Sequence, residues 1–138
     1  MLFRSFMNKA LNYVVLNELD SSLKYVDYAQ KLIPGSQNAF GFKKSLSEKF
    51  TLHGIELFEK GNKIEGLKSL SNALKANKNN YRAWNNMGKA LTIIGDLEKA
   101  TLCFRSALQI EPKNSISIKG ITVIDSLKQI TIGRVSKK

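Results

Sequence analysis

The chain has 138 residues, of which 43% are apolar, enough for one domain with its own hydrophobic core. Its single cysteine excludes a disulfide within the chain, and no apolar run is long enough to span a membrane. The net charge of +11 favours acidic partners, either proteins or RNA, although a lysine-rich surface also serves solubility alone.

Residues 1–36 begin with an amphipathic segment that carries Arg4 and Lys9 but no acid before residue 18. Apolar residues recur in this segment at helical spacing, which predicts a helix. The combination is typical of a mitochondrial transit peptide and also of the first helix of a folded domain. We favour amphipathic N-terminal helices that belong to the fold, and a mitochondrial location remains the alternative.

Residues 37–46 are interpreted as a connector that extends the next helix. Pro34 and Gly35 predict a turn, and the helix after it is expected to run from about Asn38 to Lys60.

The central part of the chain repeats, because residues 47–80 align with residues 81–114 without a gap. Identical pairs include Gly54 with Gly88, Gly61 with Gly95, Ala73 with Ala107, Leu74 with Leu108, and Asn80 with Asn114. The remaining helices are predicted at about 63–76, 81–94 and 97–110. Gly61 and Gly95 end the first helix of each copy, and Asp96 is expected to cap the helix that follows.

The second copy resembles the tetratricopeptide repeat, whose pattern is W-x2-L-G-x2-Y, then A-x3-F, then P. The residues that carry the likeness are Trp84, Met87, Gly88, Leu91, Gly95, Ala100, Phe104, Ala107 and Pro112. The first copy is looser and has Lys78 in place of the proline. Residues 1–36 fit the same template through Phe6, Ala10, Tyr13, Ser22, Val26, Ala29 and Pro34, and are interpreted as a divergent unit.

The resemblance implies an all-α fold, a short right-handed α-solenoid of helix-turn-helix repeats with a C-terminal extra helix. Stacked repeats leave a concave groove lined by the first helix of each unit, and a protein partner is expected there. At the family's groove positions the chain has Thr51, Ile55, Phe58, Arg82, Asn85, Asn86, Lys89 and Lys119. Arg82, Asn85 and Lys89 share one helix face suited to a carboxylate or a peptide backbone, with a solvated polar face as the alternative.

One subset of the family binds the acidic C-termini of large chaperones through a two-carboxylate clamp of Lys, Asn and Arg residues. Asn86 matches the middle position of that clamp. The other positions hold Thr51, Ile55, Ile116 and Gly120. We therefore do not expect chaperone-tail binding.

Residues 115–138 are predicted to form a partial repeat or capping helix, at about 115–130, followed by a basic tail. The helix carries more apolar residues than one packed face requires. The candidates for an outward, partner-facing role are Ile116, Val123, Ile124, Leu127 and Ile130. Contact with a second copy or a larger assembly is one interpretation; a partly extended backbone and folding back onto the repeats are the others.

Catalytic, metal-binding and cofactor sites are not expected. His53 lies at a packing position of the repeat, and Cys103 is interpreted as a small apolar packing residue. The glycines fall at positions of the repeat rather than in the cluster that a phosphate-binding loop requires. The sequence predicts a non-enzymatic protein–protein interaction adaptor or assembly subunit, intracellular and either soluble or complex-bound. The alternative is a basic subunit of a ribonucleoprotein such as an organellar ribosome, with RNA contacts mainly to phosphates because few aromatics stand where bases would stack.

Overall fold

A computed structural model of the chain describes residues 1–136, with side chains described as far as Gly133. The regular structure of these residues is entirely helical. Seven helices follow one another: α1 (Leu2–Val15), α2 (Leu19–Leu32), α3 (Gln37–Glu59), α4 (Lys63–Ala76), α5 (Tyr81–Ile94), α6 (Leu97–Ile110) and α7 (Ser115–Ser136). The β-branched run of α7 is helical and continues to Ser136, beyond the end expected near residue 130.

The helices form two compact units. Unit 1 covers residues 1–80, where α1 packs on α2, α2 on α3, and α3 on α4. Unit 2 begins at Tyr81, and in it α5 packs on α6 while α7 contacts both of them. The basic tail predicted at Arg134, Lys137 and Lys138 lies outside the described side chains.

Glycine lets the paired helices of each repeat approach closely. A Cβ atom at Gly54 would lie 2.8 Å from Cγ of Leu70, and one at Gly88 would lie 2.8 Å from Cε1 of Phe104. Both distances are too short for a real side chain, so the larger residue on the second helix fills the space that glycine leaves.

Buried polar side chains tie the helices of unit 1 together. Ser22 donates from Oγ to the carbonyl oxygen of Ala10 at 2.8 Å, which links α2 to α1. Asn80 donates from Nδ2 to Oγ of Ser47 at 2.9 Å and to Oγ1 of Thr51 at 3.3 Å. These bonds satisfy groups that would otherwise be costly to bury, and they fix how the helices sit against one another.

Unit 2 has its own small core and its own caps. Ala100, Phe104 and Ile124 are buried together, with Leu91 and Ile121 packed against them. Asp96 accepts from the backbone amide of Lys99, as expected of an N-cap. Asn114 caps α7 by accepting from the amides of Ile116 and Ser117.

Among the described residues, no helix combines the length and the apolarity that crossing a membrane requires.

Candidate protein-binding surfaces

Helix α5 exposes a narrow cationic strip along the face predicted to line the groove. Arg82, Lys89 and Ile93 are exposed, and they follow one another along one side of the helix. No ion pair within the described part of the chain involves Arg82 or Lys89. Asn86 lies between them, half-buried, and donates from Nδ2 to the carbonyl oxygen of Arg82 at 2.8 Å. We call Arg82, Asn86, Lys89 and Ile93 the α5 strip.

Helix α7 exposes an aliphatic strip, and its first members lie at the repeat positions that the α5 strip occupies on α5. Ile116, Val123, Leu127 and Ile130 are between 38% and 53% exposed, and successive members fall seven, four and three residues apart, so they share one face. We call these four residues the α7 strip. Lys119 is exposed beside it. Exposed aliphatic side chains of this kind lose contact with water when another surface covers them.

A buried hydrogen bond joins the two helices between the strips. Ser117 of α7 donates from Oγ to Oδ1 of Asn85 on α5, and both residues are buried. Arg82 and Lys89 lie one helical turn to either side of Asn85, and Ile116 precedes Ser117 directly. The cationic strip and the aliphatic strip therefore lie on two helices that this hydrogen bond joins.

Three predicted contact residues are buried and serve packing instead. Thr51 is 3% exposed; its hydroxyl donates to the carbonyl oxygen of Ser47 at 2.8 Å and accepts from Asn80. Asn85 is equally buried against Ser117. Ile124, predicted to face a partner, is fully buried in the core of unit 2, because α7 turns this residue toward α6.

The remaining groove positions of unit 1 lie on α3. Ile55 and Phe58 are half-buried, while Leu52, another family groove position, is 62% exposed. This face of α3 is therefore mostly apolar.

The two residue types most often used in catalysis occur once each, Cys103 in unit 2 and His53 in unit 1. Burial raises the pKa of the Cys103 thiol to about 11, with the nearby Asp96 carboxylate adding to the effect, so the reactive thiolate is disfavoured. His53 borders a polar cleft of about 270 Å³ in unit 1, together with Asp20 and Asn72. No three His, Cys, Asp or Glu residues come together to hold a metal ion anywhere in the described chain.

Sequence reasoning missed an aromatic cluster between α1 and α2. Tyr13 stacks on Tyr25 with ring centroids 5.4 Å apart, and Phe6 lies 5.4 Å from Tyr28. Lys9 Nζ lies 5.3 Å from the Tyr25 ring centroid. The spacing Phe6–Tyr13 on one helix and Tyr25–Tyr28 on the next could have indicated the cluster, since each pair shares a helix face.

Comparison with known families matches the tetratricopeptide repeat to residues 81–114, the span of the second sequence copy. A search among curated protein sequences finds no match.

Several solved structures share the fold, and some of them are tetratricopeptide-repeat domains. The first such domain of Spaghetti (RPAP3), bound to an HSP90 peptide, has a TM-score of 0.57 and 16% identity over 92% of this chain and 95% of its own. The Hsp90 co-chaperone Cns1 from Saccharomyces cerevisiae has a TM-score of 0.63 and 18% identity over 98% of this chain and 42% of its own. MamA has a TM-score of 0.59 and 14% identity, over 92% and 88%. At these identities the likeness concerns the fold, an all-α tetratricopeptide solenoid.

Proposed function

We propose that the chain, which has the tetratricopeptide fold and matches that family's model at residues 81–114, is a non-enzymatic adaptor or assembly subunit that binds a protein partner on unit 2. The observation that supports this proposal is the pair of exposed strips on α5 and α7. A helix face that only meets water is polar, and the α7 strip is aliphatic. Covering it would remove apolar surface from water, at about 25 cal/mol per Å².

The chemistry of the two strips suggests what the partner presents. Arg82 and Lys89 suit carboxylates, and the arginine can hold one through two parallel hydrogen bonds. The α7 strip suits branched or straight aliphatic side chains. The proposed ligand is therefore a segment with acidic residues along one side and aliphatic residues along the other.

This ligand differs from the chaperone tail that one structural neighbour holds. The Spaghetti domain is in complex with an HSP90 peptide. In this chain Asn86 alone stands at a position of the two-carboxylate clamp, and Ile116 and Gly120 replace the polar residues expected on the last helix. We propose that α7 selects aliphatic side chains where the clamp selects carboxylates.

Affinity capture of the tagged chain from its native extract, with and without ribonuclease, followed by mass spectrometry, tests the proposal. One variant, Arg82→Glu/Lys89→Glu, reverses the charge of the α5 strip; a second, Val123→Asp/Ile130→Asp, makes the α7 strip polar. The matched control is Arg105→Glu/Lys113→Glu, which makes the same charge change as the α5 strip variant at exposed residues outside the strips.

We expect a set of proteins that persists after ribonuclease, that both strip variants lose and that the control retains. A set that disappears after ribonuclease would instead favour the ribonucleoprotein alternative. Partners that both strip variants retain would place the binding surface elsewhere.

A further inference from the structure

A second surface lies on the side of the α1–α2 hairpin that carries the aromatic cluster. Val26 and Ala29 align with Leu70 and Ala73 on the repeat template, and the same offset aligns Tyr28 of α2 with Asn72 of α4. Asn72 donates from Nδ2 to Oδ1 of Asp20 at 2.9 Å, so this side of α4 meets the preceding hairpin. Tyr28, at the same place on α2, is 37% exposed.

The surface is rich in apolar and aromatic side chains. We call it the outer face; its members are Leu2, Phe6, Lys9 and Tyr13 of α1, Leu16 directly after α1, and Lys24, Tyr25, Tyr28 and Leu32 of α2. The three leucines are between 46% and 64% exposed. Tyrosine and phenylalanine with exposed leucine at the margin form the composition typical of the centre of a protein interface.

The charges of the hairpin are divided between its two sides. Both acids of α2 bond to other helices of unit 1: Asp20 accepts from Asn72, and Asp27 pairs with Lys43 of α3 at 2.7 Å. Helix α1 has no acid at all. On the outer face, Lys24 Nζ lies 5.9 Å from the ring centroids of both Tyr25 and Tyr28. The outer face is therefore positively charged as well as apolar.

We propose that the outer face binds an acidic amphipathic helix of a partner protein, independently of the strips on unit 2. Leucines on the partner helix would cover the exposed leucines and aromatic rings, and glutamates or aspartates beside them would meet Lys9 and Lys24. Both contacts follow from complementarity in apolarity and charge.

The ring geometry favours a helix over single-stranded RNA as the occupant. A nucleic acid base needs an open ring face on which to stack. Here Tyr13 and Tyr25 stack on each other, Tyr25 and Tyr28 meet edge to face, and two lysine ammonium groups lie near the Tyr25 ring. The exposed leucines add aliphatic surface that RNA does not match.

The test measures fluorescence anisotropy with a labelled peptide of about 20 residues, leucine at one helix face and glutamate elsewhere. The full chain carries Arg82→Glu/Lys89→Glu throughout, so that the α5 strip does not contribute. Into this chain we introduce Lys9→Glu/Lys24→Glu, or Leu16→Ser/Leu32→Ser. The control is Lys63→Glu/Lys75→Glu, which makes the same charge change at exposed residues of α4.

We expect each outer-face variant to raise the peptide Kd by at least about tenfold, and the control to change it by less than about twofold. Circular dichroism establishes that each variant remains folded. Failure of the peptide to bind, or equal Kd values for outer-face and control variants, overturns the proposal. The proposal is also overturned if a labelled oligouridine binds more tightly than the peptide and loses its affinity in the Lys9→Glu/Lys24→Glu variant. The proposal for unit 2 stands or falls separately, because the α5 strip is altered in every chain compared.

Discussion

A single residue in left-handed conformation ends the first helix of each hairpin. Gly61 has φ 89° and Gly95 has φ 100°, while Asn17, at the corresponding place after α1, has φ 60°. Each turn is closed by the same type of backbone bond, from Glu18 to Tyr13 at 2.8 Å, from Asn62 to Leu57 at 2.9 Å, and from Asp96 to Leu91 at 3.0 Å. The conformational free energy of the left-handed backbone differs between these residues, because glycine adopts it freely whereas asparagine adopts it at some cost.

We therefore expect Gly95→Ala to lower the free energy of unfolding by about 1 kcal/mol, because alanine is strained at positive φ. Asn17→Gly is expected to leave the free energy of unfolding unchanged or to raise it by roughly a few tenths of a kcal/mol. Gly41→Ala is the control: this glycine lies inside α3 with open space around it, and alanine is the better helix former. Urea unfolding followed by circular dichroism measures all three. A Gly95→Ala variant as stable as Gly41→Ala would contradict the account.

At the scale of one element, α7 carries neighbouring residues with opposite surroundings. Ile124 is fully buried against Ala100 and Phe104, whereas Val123 belongs to the α7 strip and is 52% exposed. Gly120 brings the helix close, since a Cβ atom there would lie 2.5 Å from Cζ of Phe104. One side of α7 therefore holds unit 2 together, while the other side remains open to a partner.

This division predicts different costs for two similar truncations. Ile124→Ala leaves a cavity in the core and is expected to lower the free energy of unfolding by about 2–5 kcal/mol. Val123→Ala removes exposed carbon and is expected to change it by less than about 0.5 kcal/mol. Thermal and urea unfolding of the two variants gives the comparison. Similar values for both would mean that α7 is turned differently about its axis.

The repeat explains which elements could be predicted from the sequence. The bounds of α4, α5 and α6 follow from a gapless alignment in which glycine, aspartate and proline mark the helix ends, and these are local effects. The role of Ile124 could not be predicted, because α7 is apolar over more than one face and periodicity alone does not select the buried side. Asn85 and Thr51 were misassigned for a related reason: a polar side chain at a groove position can bond inward as readily as outward.

At the scale of the whole molecule, charge is the feature that local structure does not balance. The chain has 22 basic and 11 acidic side chains. Within the described residues, two ion pairs are present, Lys43–Asp27 and Lys99–Asp96, and the second is largely exposed and contributes little. Most cations therefore repel one another across the surface, which opposes the compact state while keeping the surface attractive to acidic partners.

We expect salt to stabilise the isolated chain as a result. Raising NaCl from about 20 mM to about 300 mM shortens the Debye length from roughly 20 Å to roughly 6 Å and screens the repulsion between cations. The Tm is expected to rise by roughly 2–5 °C. Lys63→Glu/Lys75→Glu lowers the net charge at exposed positions, so its Tm should rise less over the same range. Differential scanning calorimetry of both chains measures the difference. A Tm that falls with salt would mean that attractive pairs outweigh the repulsion, and the excess charge would then play no part in the stability of the fold.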